Sequence, residues 1–195
     1  MNLKVFKEIV AKNRSYRRFY QDHEISLDAL RGLVDLARLT PSAANRQPLR
    51  YIISQRPEKN AVVFRHIAWA AYFKDWPGPD EGERPSAYII VLNDTNISKT
   101  MDYPDHGIAA QTILLGATAM GLGGCMIANI KKEGLRTALS IPANFDILLV
   151  IALGKPKEEV VIESVPPSGD IRYWRDEKRV HHVPKRSLDD LLLDL

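Results

Sequence analysis

Four separated stretches carry the residues with the most chemical potential. Arg14-Ser15-Tyr16-Arg17-Arg18 offers guanidinium groups and a hydroxyl, a set suited to phosphate or another anionic oxygen. Pro41-Ser42-Ala43-Ala44-Asn45-Arg46-Gln47-Pro48 frames a hydroxyl and two side-chain amides between prolines. Amides both donate and accept, so this loop could read the edge of a heterocycle. Gly121-Leu122-Gly123-Gly124 is a glycine turn whose backbone could approach a planar ligand closely. A basic run from Arg172 to Arg186 ends in Lys185-Arg186. Each stretch also has a purely structural reading: a basic helix cap, ordinary turn chemistry, a helix C-cap and a solvated face.

Several familiar sites are excluded. The glycines follow a helical pattern and open a strand, and no third glycine is correctly spaced, so they are not a dinucleotide fingerprint; a Walker loop is absent too. Asp105-His106 and His181-His182 match no metal-ligand spacing, and the histidines read as surface or hydrogen-bonded groups. No metal site and no catalytic side-chain triad is assigned. The single cysteine, Cys125, reads as a small buried hydrophobe.

The elements that must position these residues follow from periodicity. Leu3, Phe6, Ile9 and Val10 predict an amphipathic helix over 2–12. Ser26 caps a second helix that stops before Pro41, leaving 40–48 as a loop. A short strand begins at Tyr51, a helix is predicted around Phe64 to Tyr72, and Trp76 to Pro85 is a breaker-rich loop. Ala87 to Leu92 and Ile147 to Leu153 are continuous apolar runs, hence buried strands. Between them lie an apolar, central helix over Asp105 to Met120 ended by Gly121, a strand over Gly123 to Ile127, and a helix over Lys131 to Leu139. Beyond Pro166-Pro167 the chain reads as extended. Ser187 with Asp190 forms a capping-box pattern ahead of an apolar stripe of Leu188, Leu191, Leu192 and Leu195. Strands and helices do not alternate regularly, which points to an α+β fold with a small central sheet.

The chain has 195 residues, 45% apolar and 26% charged, enough for one ordinary globular domain. One cysteine, no signal-peptide h-region and no long apolar stretch point to a cytoplasmic protein without a membrane span. The net charge is +3, but the first fifty residues hold ten Lys/Arg against five Asp/Glu. Two basic segments distant in sequence could converge on one anion.

In order and spacing these landmarks resemble the FMN-dependent nitroreductase family. The resemblance rests on Arg14-Ser15-x-Arg17-x-Phe19, Pro41-Ser-Ala-x-Asn45-x-Gln47-Pro48, Asp105-His-Gly107 through Gln111 to Gly121-Leu-Gly-Gly-Cys125-Met-Ile127, Leu149 to Pro156, and Pro184-Lys185-Arg186-Ser187-Leu188. Asn13, Leu49, Met126 and Ala128-Asn129 depart from the usual pattern.

The resemblance implies a nitroreductase-like α+β fold, with a mixed or antiparallel sheet flanked by helices, in an intertwined homodimer. Residues 1–195 would be one FMN-binding domain, with 157–195 docking on the partner subunit. It implies phosphate contacts from Arg14, Ser15, Lys185 and Arg186, and places Arg17 at the N1–C2=O edge of the flavin. Pro41, Ser42, Ala43 and Asn45 of the other subunit would cover the ring, with Gln47 fixing that loop. Met126, Ile127, Ala128 and Asn129 would face the flavin through backbone. NADH or NADPH would supply hydride to flavin N5, and a small electron-poor acceptor such as a nitroaromatic or quinone would take two electrons, in ping-pong order. Two alternatives stay open: a same-fold flavoenzyme of different chemistry (dehalogenation, flavin fragmentation or dehydrogenation) and a non-catalytic basic binding protein. For the latter, no motif of nucleic-acid recognition accompanies the charge.

Overall fold

The structure, a computed structural model, describes residues 2–73, 75–100 and 104–194. In chain order the elements are α1 (Leu3–Lys12), β1 (Phe19–Tyr20), α2 (Leu27–Arg38), β2 (Leu49–Ser54), α3 (Pro57–Arg65), β3 (Ala87–Asp94), α4 (Asp105–Ala119), β4 (Gly123–Ile127), α5 (Lys132–Leu139), β5 (Phe145–Pro156), β6 (Val160–Ser164), β7 (Trp174–Arg175) and β8 (His181–Lys185). The fold is α+β.

The central sheet runs β1-β5-β3-β2, with β4 also pairing β5, and every pairing is antiparallel. All eight residues of β3 are buried. Alternation explains why the run is apolar throughout, since successive side chains enter opposite faces. Ala87, Ile89 and Val91 pack with Leu30 and Leu33 of α2 and Ala110 and Ile113 of α4. Tyr88, Ile90 and Leu92 pack with Val63 of α3 and Leu135 of α5. The sheet is thus covered on both faces. Small residues on α4 allow close packing; a Cβ on Gly116 would meet Leu36 Cδ1 at 2.6 Å.

Capping chemistry ends the helices as expected. Ser26 Oγ accepts from Ala29 N at 3.1 Å. Gly121, at φ +74°, follows α4, and Leu122 N donates to Ala117 O at 2.9 Å while Gly121 N donates to Thr118 O at 3.0 Å. That pair of bonds is a Schellman closure. Gly123 and Gly124 have another purpose. A Cβ on Gly123 would meet the Tyr16 ring at 2.5 Å, and one on Gly124 would meet Ala152 O at 2.4 Å. The doublet makes room for residues 15–16, whose backbone docks on Gly124.

The helix predicted around Phe64 to Tyr72 is corrected. It starts at Pro57, a residue suited to a first helical position, and ends at Arg65. Beyond it the backbone is captured by the exit of β4: Ala68 N donates to Asn129 O at 2.9 Å, and Lys131 N to His66 O at 2.8 Å. Strand β2 starts at Leu49 rather than Tyr51, and β5 is longer at both ends than its apolar run.

Residues 160–185 build a second, three-stranded sheet, β6-β8-β7, in which β6 and β8 are parallel and β7 and β8 antiparallel. Ser187 and Asp190 do exchange backbone-to-side-chain bonds at 3.1 and 3.2 Å, but they close a turn, not a helix. Leu188, Leu191, Leu192 and Leu193 are largely exposed there; Leu195 lies outside the described residues. Helix α1 contains no buried residue, and its Leu3, Val5, Phe6 and Val10 are exposed.

Candidate functional site

A cleft of about 410 Å³ collects residues from both basic ends of the chain. Arg14, Ser15 and Arg17 line it from the stretch after α1, Met126 from β4, and Lys185 from the end of β8. Arg186, one residue on, is exposed and does not line it. The N-terminal stretch is held by a short parallel bridge between Ser15 and Gly124, and by Tyr16 N donating to Gly124 O at 3.0 Å.

Below this stretch sits a carboxylate that sequence reasoning missed. Glu158, whose side chain is 0% exposed, accepts from the backbone N–H groups of Arg17 and Arg18 through Oε1. Its other oxygen accepts from Arg175 at 3.0 Å. One buried acid therefore ties the Arg17 backbone to the C-terminal sheet. Arg18 turns away from the cleft and binds Glu83, also paired with Lys157 at 3.0 Å. Those hydrogen bonds, led by Arg18, hold the Glu83 carboxyl down at about 2.

Arg17 is buried, yet among the described residues its side chain is hydrogen-bonded through NH1 alone, to Ser15 O and His181 Nε2, both at 3.2 Å. The guanidinium lies 4.7 Å from the centroid of the Tyr173 ring. Burial, then the charges of Arg17, Arg175 and His182, push the His181 imidazole down from 6.5 to about 4. A neutral His181 accepts from Arg17 at Nε2 and carries its proton on Nδ1, which is buried without a partner. Leu114, Tyr173 and Val183 line the cleft without being singled out in the sequence, and His181, read there as a surface or hydrogen-bonded histidine, is 1% exposed and bonded to Arg17. No motif spacing marks Tyr173 or Val183, because strand register in β7 and β8, not local sequence, brings this segment to the cleft.

The proline-framed loop lies elsewhere in the chain. Pro41, Ser42 and Gln47 line a separate recess of about 160 Å³ with Tyr51 and Asp105. Asp105, 4% exposed, anchors the loop: Ser42 Oγ donates to it at 2.6 Å and Ala43 N at 3.2 Å. Burial and then Asp105 raise the neighbouring Tyr51 hydroxyl to about 12. Ala44, Asn45 and Gln47 adopt φ of 50°, 52° and 53°. The left-handed turn is locked by Gln47 N to Ser42 Oγ at 2.9 Å and Gln47 Nε2 to Asn45 Oδ1 at 3.0 Å. Asn45 stays exposed, its side chain presented outward with Ala44. Asp105 is thus a structural anchor rather than an acid–base group beside His106.

Ile127 is buried in β4, whereas Ala128 and Asn129 are exposed just beyond it. Cys125 is 4% exposed, and burial pushes its thiol up. Among the described residues no group of three or more His, Cys, Asp or Glu could hold a metal ion, and no helix is long and apolar enough to cross a membrane.

Comparison with known proteins adds the decisive observation. The model of the nitroreductase family matches residues 10–155. The chain belongs to the nitroreductase family. A relative from Methanothermobacter thermautotrophicus, bearing the name NADH dehydrogenase/NAD(P)H nitroreductase, is 31% identical over 157 residues, covering 77% of each chain. A nitroreductase family protein from Clostridium difficile 630 superposes with a TM-score of 0.66 at 22% identity, over 99% of this chain and 98% of that one. An FMN-dependent nitroreductase from Clostridium difficile R20291 gives 0.63 at 23% identity, over 77% and 87%.

Proposed function

We propose that this nitroreductase-family chain is an NAD(P)H-dependent oxidoreductase that uses FMN and passes electrons to a small electron-poor acceptor such as a nitroaromatic or quinone. The observation that carries the reading is the convergence of both basic ends on one cleft with unused donors. Among the described residues, Arg14 Nε is buried there without a partner, Arg17 Nε and NH2 make no hydrogen bond, and Lys185 has no acidic partner. A volume of about 410 Å³ lies in the range of cofactor sites. The donor set fits a phosphate-bearing, electron-accepting group: Arg14, Ser15 and Lys185 hold the phosphate, and Arg17 meets the ring. Arg186 would join only by turning inward from its exposed position.

FMN, when bound, would supply the redox chemistry, taking a hydride from NADH or NADPH and passing two electrons and a proton to the acceptor. The chain supplies placement and charge. Arg17 presents a permanent cation where negative charge develops on reduction, and His181, neutral above its low pKa, holds that cation without adding a second one. Backbone at Ile127 to Asn129, with Met126, forms the surface facing the ring. The loop of Pro41, Ser42, Ala43 and Asn45, braced by Gln47, lines a different recess of the same chain. In this reading it covers the ring of a second subunit, and the homodimer also covers α1 and the leucines after Lys185. A ten-residue helix without one buried side chain does not hold itself in water, which supports a partner surface.

The test is an absorption spectrum of the purified protein and of its heat-released supernatant, with light scattering at two concentrations. A two-banded flavin spectrum that bleaches anaerobically with NAD(P)H, FMN in the supernatant and twice the 22.0 kDa chain mass are the expected results. A colourless protein that fails to bind added FMN overturns the reading. A monomer that still holds FMN overturns its two-subunit part.

A further inference from the structure

A cleft of about 670 Å³ shares no residue with the cleft of Arg14 and Lys185. It opens between the start of α2, the start of α3 and the chain leading into β3. Three polar side chains line it without partners. Arg84 lies over the Phe64 ring, its guanidinium carbon 4.4 Å from the centroid, and makes no side-chain hydrogen bond or ion pair among the described residues. Its Nε is buried. Ser86, 8% exposed, has a buried Oγ with no partner. Tyr88, 1% exposed, has a hydroxyl for which no hydrogen bond is found among the described residues. Ser86 and Tyr88 are two apart on an extended run, so they face the same side.

Three other well-covered arginines meet carboxylates: Arg18 meets Glu83, Arg175 meets Glu158, and Arg136 reaches Asp146 at 3.9 Å. Among the described residues, Arg84 shares its lack of an acid with Arg17, which sits in the cleft proposed for an anionic cofactor. A guanidinium fork and two hydroxyls left unpaired in one cleft are costly unless a ligand completes them. The deep charge is a single cation. Asp22, Glu24 and Arg56 also line it, all three exposed, and none of them forms an ion pair among the described residues. That balance suits one negative charge and opposes two. Ile25, Leu27 and Pro85 give the cleft an apolar wall, while Gln21, Ser26, Gln55 and Asn60 add uncharged polar groups.

We propose that this cleft binds a small aromatic monocarboxylate, its carboxylate gripped by the Arg84 fork and the Ser86 and Tyr88 hydroxyls and its ring against Ile25, Leu27 and Pro85. Planar bidentate pairing is what a guanidinium does best with a carboxylate. Burial also raises the Tyr88 hydroxyl, keeping it a neutral donor. The assignment is independent of the flavin reading, since the two clefts are disjoint.

The test is calorimetric titration of the purified protein with benzoate, and with inorganic phosphate as a competitor. Saturable one-to-one binding is expected, weakened at least about tenfold by Arg84→Met and about fivefold by Tyr88→Phe. It should be unchanged in Arg17→Ala, which alters the other cleft. Should Arg84→Met fail to fold, the Ser86→Ala/Tyr88→Phe pair, which leaves the backbone bond to Asn60 intact, answers in its place. Absence of saturation overturns the proposal. So does wild-type affinity in the variants, loss of binding in Arg17→Ala, or phosphate displacing benzoate with equal strength.

Discussion

Glu158 is the residue whose removal tests the architecture of the cleft proposed for the flavin most directly. Its carboxylate is fully buried and serves two backbone donors and one guanidinium. Glu158→Ala strands the half-buried Arg175 beside two unpaired N–H groups. Breaking a buried pair from one side costs about 3–5 kcal/mol. For a chain of this size each kcal/mol moves the melting temperature by about 2–4 °C, so a fall of about 6–20 °C is expected. Glu158→Gln keeps an oxygen acceptor for the Arg17 and Arg18 amides but loses both the charge and the acceptor toward Arg175, which then meets an NH2 group. Its cost should be about 1–2 kcal/mol, or about 2–8 °C. The assay is thermal melting followed by circular dichroism, with retained flavin measured on the same samples. Since Glu158 fixes the Arg17 backbone, Ala should lose flavin and Gln should keep most of it. Equal destabilisation by the two variants, or a loss below about 1 kcal/mol for Ala, would refute the reasoning.

Other expected outcomes are simpler. The folded protein keeps His181 neutral down to about pH 4 while the unfolded chain protonates near 6.5, so stability falls as pH drops through that window. The full shift corresponds to about 3 kcal/mol, and water reaching the cleft reduces this to roughly 1–2 kcal/mol; urea melts of wild type and His181→Gln at pH 7 and 5 check it, and a pH-independent difference would sink it. Asp105→Ala removes the acceptor of Ser42 and Ala43; amide exchange over residues 41–47 should rise at least tenfold with the core unchanged. Arg17→Ala should lower the potential of bound flavin by about 30–60 mV and slow its reduction, as expected for a lost charge-assisted hydrogen bond of about 1.5–3 kcal/mol; a titration giving the wild-type potential would remove Arg17 from that role. Cys125 should resist a thiol reagent in the folded state and react fully in denaturant.

Much of the fold was legible because its signals are local. The continuous apolar run at 87–92 could only be a strand buried on both faces, and Gly121 closed α4 in the way a C′ glycine does. The Phe64 to Tyr72 segment misled for a tertiary reason. Its apolar residues suit a helix, but its backbone donors and acceptors are taken by Asn129 and Lys131, some sixty residues away. The site shows the same divide. Arg14, Ser15 and Lys185 announce themselves by type, whereas Glu158 looks like one more surface acid between Lys157 and Glu159. Only the pairing of β1 with the end of β5 brings it under Arg17. Likewise, His181 gains its character from Arg17 and Arg175, which no spacing along the chain could connect.

The glycines and the loop after Pro41 show how the same short motif can be misjudged in both directions. Gly123-Gly124 has the look of a ligand-facing turn, yet the atoms that would clash with a side chain there are Tyr16, Leu114 and Ala152. The glycines act on function indirectly, by letting residues 15–16 seat on β4 and so aim Arg14 and Arg17. The loop has the look of ordinary turn chemistry, yet it holds three non-glycine residues at positive φ under a buried aspartate. Backbone strain of this kind costs about 1–3 kcal/mol per residue and persists only where surrounding bonds over-determine it. Here they do, through Asp105, Ser42 and Gln47, and the product is an outward-facing Ala44-Asn45 tip with no role in its own chain's cleft. A rigid tip maintained at that cost, on a chain whose α1 and terminal leucines also lack cover, is the strongest internal argument that the flavin-side cleft is completed by a second copy.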